Sequence, residues 1–320
     1  MDDIPVLDLR DWQRDPGSPG AARRSRDFTG ALRSGMEEFG FVGVVGHGVE
    51  PYSIRRAYAL FEQFFDLPEP EKLACTSGEG GARGFTAFGR EHAKDSALAD
   101  LKEFFHVGRE PDHRDPGRAA RYPPNVWPAT VPGLAEVSLG LYDALDRCAT
   151  QLLEALEAAY DLTQGVLSSM LCEGNSILRA LHYPPITAAP AGALRAAPHE
   201  DINLITLLCE ATDSGLEIRT RAGEWLAVAA PPGQIVVDAG DMLCRVTGGV
   251  IPATTHRVVN PPAQTARDRY SLPYFAHPYP ECSLRVLPEF ETPERLAAHP
   301  PITAGEYLDE RLRDIGLKAG

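Results

Sequence analysis

The stretch from Pro198 to Leu208, "PHEDINLITLL", decides how this chain folds. Its second half, Ile205-Thr206-Leu207-Leu208, is an apolar run that predicts a buried β-strand. Its first half sets a histidine, a glutamate and an aspartate in a row at the mouth of that strand. Ionisable groups in such a place are costly to bury unless they are paired or hold a metal. On an extended strand, residues two apart share a face. His199 and Asp201 then point together and Glu200 points away.

A metal needs further ligands. His256, in "THRVVN" (255–260), lies 55 residues beyond Asp201 and opens another predicted strand. Two strands of one barrel can bring His199, Asp201 and His256 to one point. Two imidazoles and one carboxylate with the remaining positions open are the donor set of non-haem Fe(II) oxygenases. The other histidines, at 47, 92, 106, 113, 182, 277 and 299, show no such partner arrangement. A polar strand end without a metal is the competing reading of His-x-Asp alone.

Beyond His256 stands "RYS", in which Arg269 and Ser271 share a strand face. A guanidinium fork beside a hydroxyl suits a carboxylate. An arginine inside a strand is otherwise costly to bury. Tyr183, in "LHYPP" (181–185), is placed to add a hydrogen bond to that carboxylate or to pack. A zinc hydrolase also fits the three ligands chemically but leaves "RYS" without a role.

The surrounding text agrees with a β-rich core. From 199 to 280, short β-rich runs alternate with Gly, Pro and Asp turns, which suggests a sandwich or jelly roll. Upstream, "IPVLDL" (4–9) reads as a first strand, and helical spacing predicts helices over 21–38, 52–66 and 136–160. The tail 303–316 predicts a helix opened by a capping box, Thr303 to Glu306. The glycine run at 77–85 lacks the spacing of a dinucleotide fingerprint.

Composition narrows the class. The 320 residues carry 31 Lys and Arg against 45 Asp and Glu, a formal charge of −14. An acidic chain without a basic run is a poor partner for nucleic acid or an anionic membrane. No apolar run is long enough for a transmembrane helix. The six scattered cysteines read as reduced thiols of a cytoplasmic protein.

Taken together, the motifs resemble the isopenicillin N synthase-like family of Fe(II)/2-oxoglutarate-dependent dioxygenases. The resemblance runs through "IPVLDL", "FGFVGVVGHGV" (39–49), "RGF" (83–85), "DLKEFFHVG" (100–108), "LRALHYPP" (178–185), "HEDINLITLL", the 236–261 segment, "RYSLPYF" and "ITAGEYL" (302–308), in family order. It implies a mainly β protein with flanking helices around a double-stranded β-helix, or jelly-roll, core. It implies Fe(II) on His199, Asp201 and His256, and 2-oxoglutarate gripped by Arg269 and Ser271 with help from Tyr183. O2 would oxidise a small-molecule substrate by hydroxylation, desaturation or cyclisation, with release of succinate and CO2. Many members carry Asn where this chain has Leu181. Isopenicillin N synthase itself uses no 2-oxoglutarate, so an oxidase of that type is the alternative, as is a non-catalytic jelly-roll sensor.

The implied organisation is an N-terminal unit (1–120), a linking segment with a long helix (121–172), the jelly-roll domain (173–285) and a C-terminal helical tail (286–320). The substrate pocket is expected to draw on Arg83, Phe85, Phe105 and Phe275, with ordinary core packing as the competing role of each.

Overall fold

The computed structural model describes residues 3–77, 82–92, 98–110, 122–186, 192–261 and 267–314. Gly78, Gly80, Gly81 and His113 lie outside them. The three predicted helices form with small boundary shifts: α1 (Pro19–Phe39), α2 (Pro51–Phe65) and, after a short α3 (Glu69–Leu73), the long α4 (Leu134–Ala159). Ser18 caps α1 by accepting from the Ala21 amide, and Pro19 fits its first turn. Phe28, Leu32 and Met36 fall on one face of α1 and are buried. Both α1 and α2 pack on α4, so the apolar stripes of all three close one core.

The strands are β1 (Val6–Asp8), β2 (Phe41–Val45), β3 (Gly84–Thr86), β4 (Glu103–Gly108), β5 (Ile177–Tyr183), β6 (Ala196–His199) and β7 (Ile205–Leu208). They continue as β8 (Leu216–Arg219), β9 (Trp225–Ala227), β10 (Ile235–Ala239), β11 (His256–Val258), β12 (Arg269–Ser271) and β13 (Pro273–Ala276). A nine-stranded sheet runs β1-β2-β10-β7-β13-β5-β4-β3, with β12 also on β5. A four-stranded sheet runs β6-β11-β8-β9. The two sheets form the jelly roll. The helices α5 (Asp241–Val246), α6 (Pro293–Ala298) and α7 (Ala304–Asp314) follow the strands, and α7 opens with the predicted box: Glu306 accepts from the Thr303 amide at 3.0 Å.

The stretch that opened the sequence reading is not one strand. His199 ends β6 in the small sheet, residues 200–204 turn, and β7 begins at Ile205 in the large sheet. The turn is built by Asn203, whose side chain donates to the Ile205 carbonyl at 3.1 Å and to Thr206 Oγ1 at 3.0 Å. Asparagine favours such side-chain-to-backbone turns over a continued strand. The alternation argument for His199 and Asp201 therefore fails. They meet because the chain crosses from one sheet to the other between them.

Gly40 makes a second close crossing possible. It ends α1 with φ +65°, a left-handed conformation suited to glycine. A Cβ there would press on the Pro252 carbonyl and on the side chain of Thr254. Thr254 Oγ1 donates to the Phe39 carbonyl at 2.6 Å, which holds the segment entering β11 against the end of α1.

Candidate metal centre and active-site cavity

His199 from β6, Asp201 from the turn and His256 from β11 converge. One ligand atom from each lies within 4.8 Å of the others. His199 Nε2 and His256 Nε2 are each 3.8 Å from Asp201 Oδ1. Strands β6 and β11 are antiparallel neighbours with His199 opposite His256, so sheet register sets the two imidazoles side by side. His199 Nδ1 donates to the Ala197 carbonyl at 2.7 Å and His256 Nδ1 to the Thr254 carbonyl at 3.1 Å. A carbonyl only accepts, so both Nδ1 atoms carry the proton and both Nε2 lone pairs are left for a cation. Asp201 Oδ2 accepts from Thr206 Oγ1, which leaves Oδ1 on the histidine side. The donor set fits a divalent metal.

The electrostatics suit a cation as well. Burial holds His256 below its ordinary pKa, with repulsion from His199 in the same direction. Asp238, on β10 opposite Thr206, has its carboxyl pushed well up, first by burial and then by the negative charge of Asp201. Glu200 is exposed and accepts from Thr255 Oγ1 at 2.5 Å, beside His256.

The triad opens into a cavity of about 400 Å3 between the sheets. Tyr183, Arg269, Ser271 and Phe275 line it, as expected from the sequence. Arg269 pairs opposite Tyr183 across β12 and β5, and its guanidinium lies 5.0 Å from the centre of the Tyr183 ring. Arg269 Nε donates to the Asp213 carbonyl at 3.1 Å, while its buried Nη1 has no hydrogen-bond partner among the described residues. A buried unpaired donor is expensive, and an anion in the cavity would satisfy it.

Three of the residues expected in the pocket wall are elsewhere. Phe85 and Phe105 are buried in the helix-side core, with their ring centres 5.8 and 4.8 Å from that of Phe64. They point away from the cavity because alternation along β3 and β4 turns them towards α2. Arg83 is fully buried, donates to Asn175 Oδ1 at 3.3 Å and to the Ala82 carbonyl at 2.7 Å, and does not line the cavity. Its guanidinium fills the space that the missing side chain of Gly108 leaves.

The cavity also holds residues that sequence reasoning missed. Arg179, on β5, donates through Nε to His106 Nε2 at 2.6 Å and through Nη1 to Glu91 at 3.2 Å. Its guanidinium lies over Phe104 and Phe275, at 4.3 and 5.1 Å. Lys102 completes the group, 2.7 Å from Glu91 and 2.8 Å from Asp100. Burial opposes the charge on Glu91, but Arg179 and Lys102 outweigh it and hold the carboxyl low. His277, just past β13, also lines the cavity, and its buried Nδ1 has no hydrogen-bond partner among the described residues. Burial lowers its pKa to about 4, so the ring is neutral. Its single signal in sequence was its place on the Arg269–Phe275 strand face, two residues past Phe275. Leu308, Arg311 and Leu312 of α7 line the mouth, and Tyr307 anchors the helix by donating to Asp241 Oδ2 at 2.9 Å.

Comparison with known proteins agrees with this geometry. Residues 4–130 match the family described as "non-haem dioxygenase in morphine synthesis N-terminal", and residues 174–278 match the "2OG-Fe(II) oxygenase superfamily". A 2-oxoglutarate-Fe(II) type oxidoreductase of Aspergillus fumigatus is 31% identical over 283 residues, covering 86% of this chain and 83% of that one. A 2OG-Fe(II) oxygenase family protein from Caulobacter crescentus superposes with a TM-score of 0.84 at 36% identity, covering 98% of this chain and 99% of that one. A full-length Neurospora crassa protein, solved in complex with alpha-KG and thymine, superposes with a TM-score of 0.83 at 28% identity, covering 97% of this chain and 96% of that one. Among the described residues no helix is long and apolar enough to cross a membrane. A relative matched over most of both chains, a superposable fold and an open His-Asp-His cluster agree: the chain belongs to the 2OG-Fe(II) oxygenase superfamily.

Proposed function

We propose that this Fe(II)- and 2-oxoglutarate-dependent oxygenase holds its iron on His199, Asp201 and His256 and grips the distal carboxylate of 2-oxoglutarate with Arg269 and Ser271. The observation that carries the reading is the convergence of the three ligand atoms at a cavity that is also lined by Arg269, whose buried Nη1 has no hydrogen-bond partner among the described residues. When bound, iron and 2-oxoglutarate supply the oxidising power, with succinate and CO2 as co-products. The protein's own residues supply the rest. Nδ1–H bonds to backbone carbonyls aim both imidazoles. Thr206 fixes the Asp201 carboxylate. Tyr183 supports the Arg269 guanidinium with its ring face. The apolar walls keep bulk water from the reacting centre.

The remaining space belongs to the prime substrate. We assign its polar end to Arg179 and His277 and its body to the apolar wall of Phe41, Leu216, Val258 and Phe275. That pattern suits a small molecule with a hydrogen-bonding group at one end, in keeping with the similar Neurospora crassa protein that binds thymine. The jelly-roll unit 173–285 carries every proposed iron and co-substrate contact, while Lys102 and Glu91 from the N-terminal part and α7 from the tail complete the walls.

The test is succinate production from 2-oxoglutarate with Fe(II) and ascorbate. His199→Ala and Asp201→Ala should abolish it while leaving the circular dichroism spectrum unchanged. Arg269→Ala should raise the 2-oxoglutarate requirement at least about tenfold, since charge-assisted bonds contribute that much. Full turnover in either ligand variant sinks the triad, and an unchanged 2-oxoglutarate dependence in Arg269→Ala favours the oxidase alternative.

A further inference from the structure

Behind Arg269 lies a second buried arginine. Arg195 precedes β6, and its side chain has no solvent exposure. Its Nη2 donates to the Arg267 carbonyl at 2.7 Å, and its Nη1 stands 3.8 Å from Asp213 Oδ2. Its Nε and Nη1 have no hydrogen-bond partner among the described residues. Asp213 is shared: its backbone carbonyl accepts from Arg269 Nε, and its Oδ1 accepts from Arg267 Nη2 at 2.8 Å and from the Ser214 amide at 2.9 Å. Asp213 therefore meets Arg195 through its carboxylate and Arg269 through its backbone carbonyl, and the exposed Arg267 already holds the carboxylate most closely.

Among the described residues the cluster carries surplus positive charge and leaves three buried donors without a partner, Arg195 Nε, Arg195 Nη1 and Arg269 Nη1. Such an arrangement is costly by itself. Burial and the neighbouring charge of Arg269 both work against protonation of Arg195. Arg269 lines the cavity and Arg195 does not. Because Arg269 lines the cavity, an anion bound there would offset that surplus.

We propose that Arg195 is a positioning residue of the co-substrate end, which shares Asp213 with Arg269 to fix that guanidinium and adds a second positive charge behind it. This end of the cavity then selects a 2-oxo acid with a distal carboxylate over one without. The inference rests on the reading that Arg269 receives the distal carboxylate of 2-oxoglutarate.

The test is calorimetric titration of the full-length protein loaded with redox-inert Mn(II), comparing 2-oxoglutarate with 2-oxopentanoate, which replaces the distal carboxylate by a methyl group. Arg195→Met should weaken 2-oxoglutarate about tenfold, in line with a charge-assisted contribution, and leave 2-oxopentanoate nearly unaffected. Arg195→Gln keeps a donor for the Arg267 carbonyl but not the charge, so it should lose the same affinity and carries the test if the Met variant does not fold. Arg195→Lys should recover most of the loss. Equal weakening of both ligands, or no weakening, overturns the inference. Arg269→Met separates the two levels: if it weakens 2-oxoglutarate while the Arg195 variants do not, only the inference fails. If it too leaves the affinity unchanged, the reading of Arg269 fails with it.

Discussion

The backbone amide of Asp241 donates to the carbonyl of Asp201 across 2.7 Å, tying the turn that carries the proposed carboxylate ligand to the first turn of α5. The neighbouring Met242 amide bonds the Asn203 carbonyl at 3.0 Å, and the Gly240 amide bonds the Leu204 carbonyl at 2.9 Å. Three consecutive amides thus hold the ligand turn by its backbone, in addition to the two strands that flank it.

Gly240 is the weak point of that arrangement. A Cβ there would collide with the backbone carbonyl of Asn203, which cannot swing aside as a side chain can. Gly240→Ala should displace the turn, lower Mn(II) affinity about tenfold and cost about 1–3 kcal/mol of stability as an overpacked site. Metal titration followed by calorimetry reads the first effect and urea denaturation the second. Wild-type metal affinity would show that the turn is held by other contacts.

Arg179 should act on the prime substrate and not on the co-substrate. Its guanidinium lies over the rings of Phe104 and Phe275 in the cavity wall, whereas Arg269 is the residue proposed to hold the co-substrate. With a substrate in hand, Arg179→Met should raise the substrate KM about tenfold, the value of one charge-assisted bond, and leave the 2-oxoglutarate KM unchanged. Parallel rises in both constants would place Arg179 in general support of the fold.

Phe105 is a stability residue. Its side chain is fully buried against Phe64 and Phe61. Phe105→Ala should cost about 3–5 kcal/mol without changing either KM in the fraction that remains folded. Chemical denaturation gives the first quantity and initial-rate kinetics the second.

Acid sensitivity should trace in part to His277. Its pKa falls from 6.5 to about 4, chiefly through burial, with the Arg179 charge adding to the shift and Asp201 opposing it. Above pH 6.5 the ring is neutral in folded and unfolded chains, and its contribution to stability is fully retained. As pH falls from 6.5 towards 4, the unfolded chain takes up a proton that the folded one refuses, so stability is lost. His277→Gln should flatten the fall of metal-free stability across that window. Identical slopes in the two proteins would mean that the folded ring titrates normally.

Much of this was legible in the sequence for physical reasons. The long helices declared themselves because spacing such as Phe28-Leu32-Met36 has one interpretation. His199, Asp201, His256 and "RYS" were legible because ionisable residues beside β-rich runs need a purpose. What failed was local. Asn203 breaks the expected strand through a side-chain bond that periodicity does not register. Phe85 and Phe105 were misplaced because an aromatic on a strand gives no sign of which face meets the cavity. Arg179, Lys102 and Glu91 were missed because their pairing joins residues up to 88 positions apart, which a single sequence does not reveal.

The placement of α7 has a consequence for how this enzyme changes. The helix contributes Leu308, Arg311 and Leu312 to the cavity mouth, yet it takes no part in either sheet and is moored through Tyr307 and a self-contained capping box. Substitutions on its inner face redraw the entrance without disturbing a strand register or a proposed iron ligand. Part of the cavity wall is therefore carried outside the sheets, on a segment that can vary without altering a proposed ligand, while Arg179, Val258 and Phe275 stay tied to the strands.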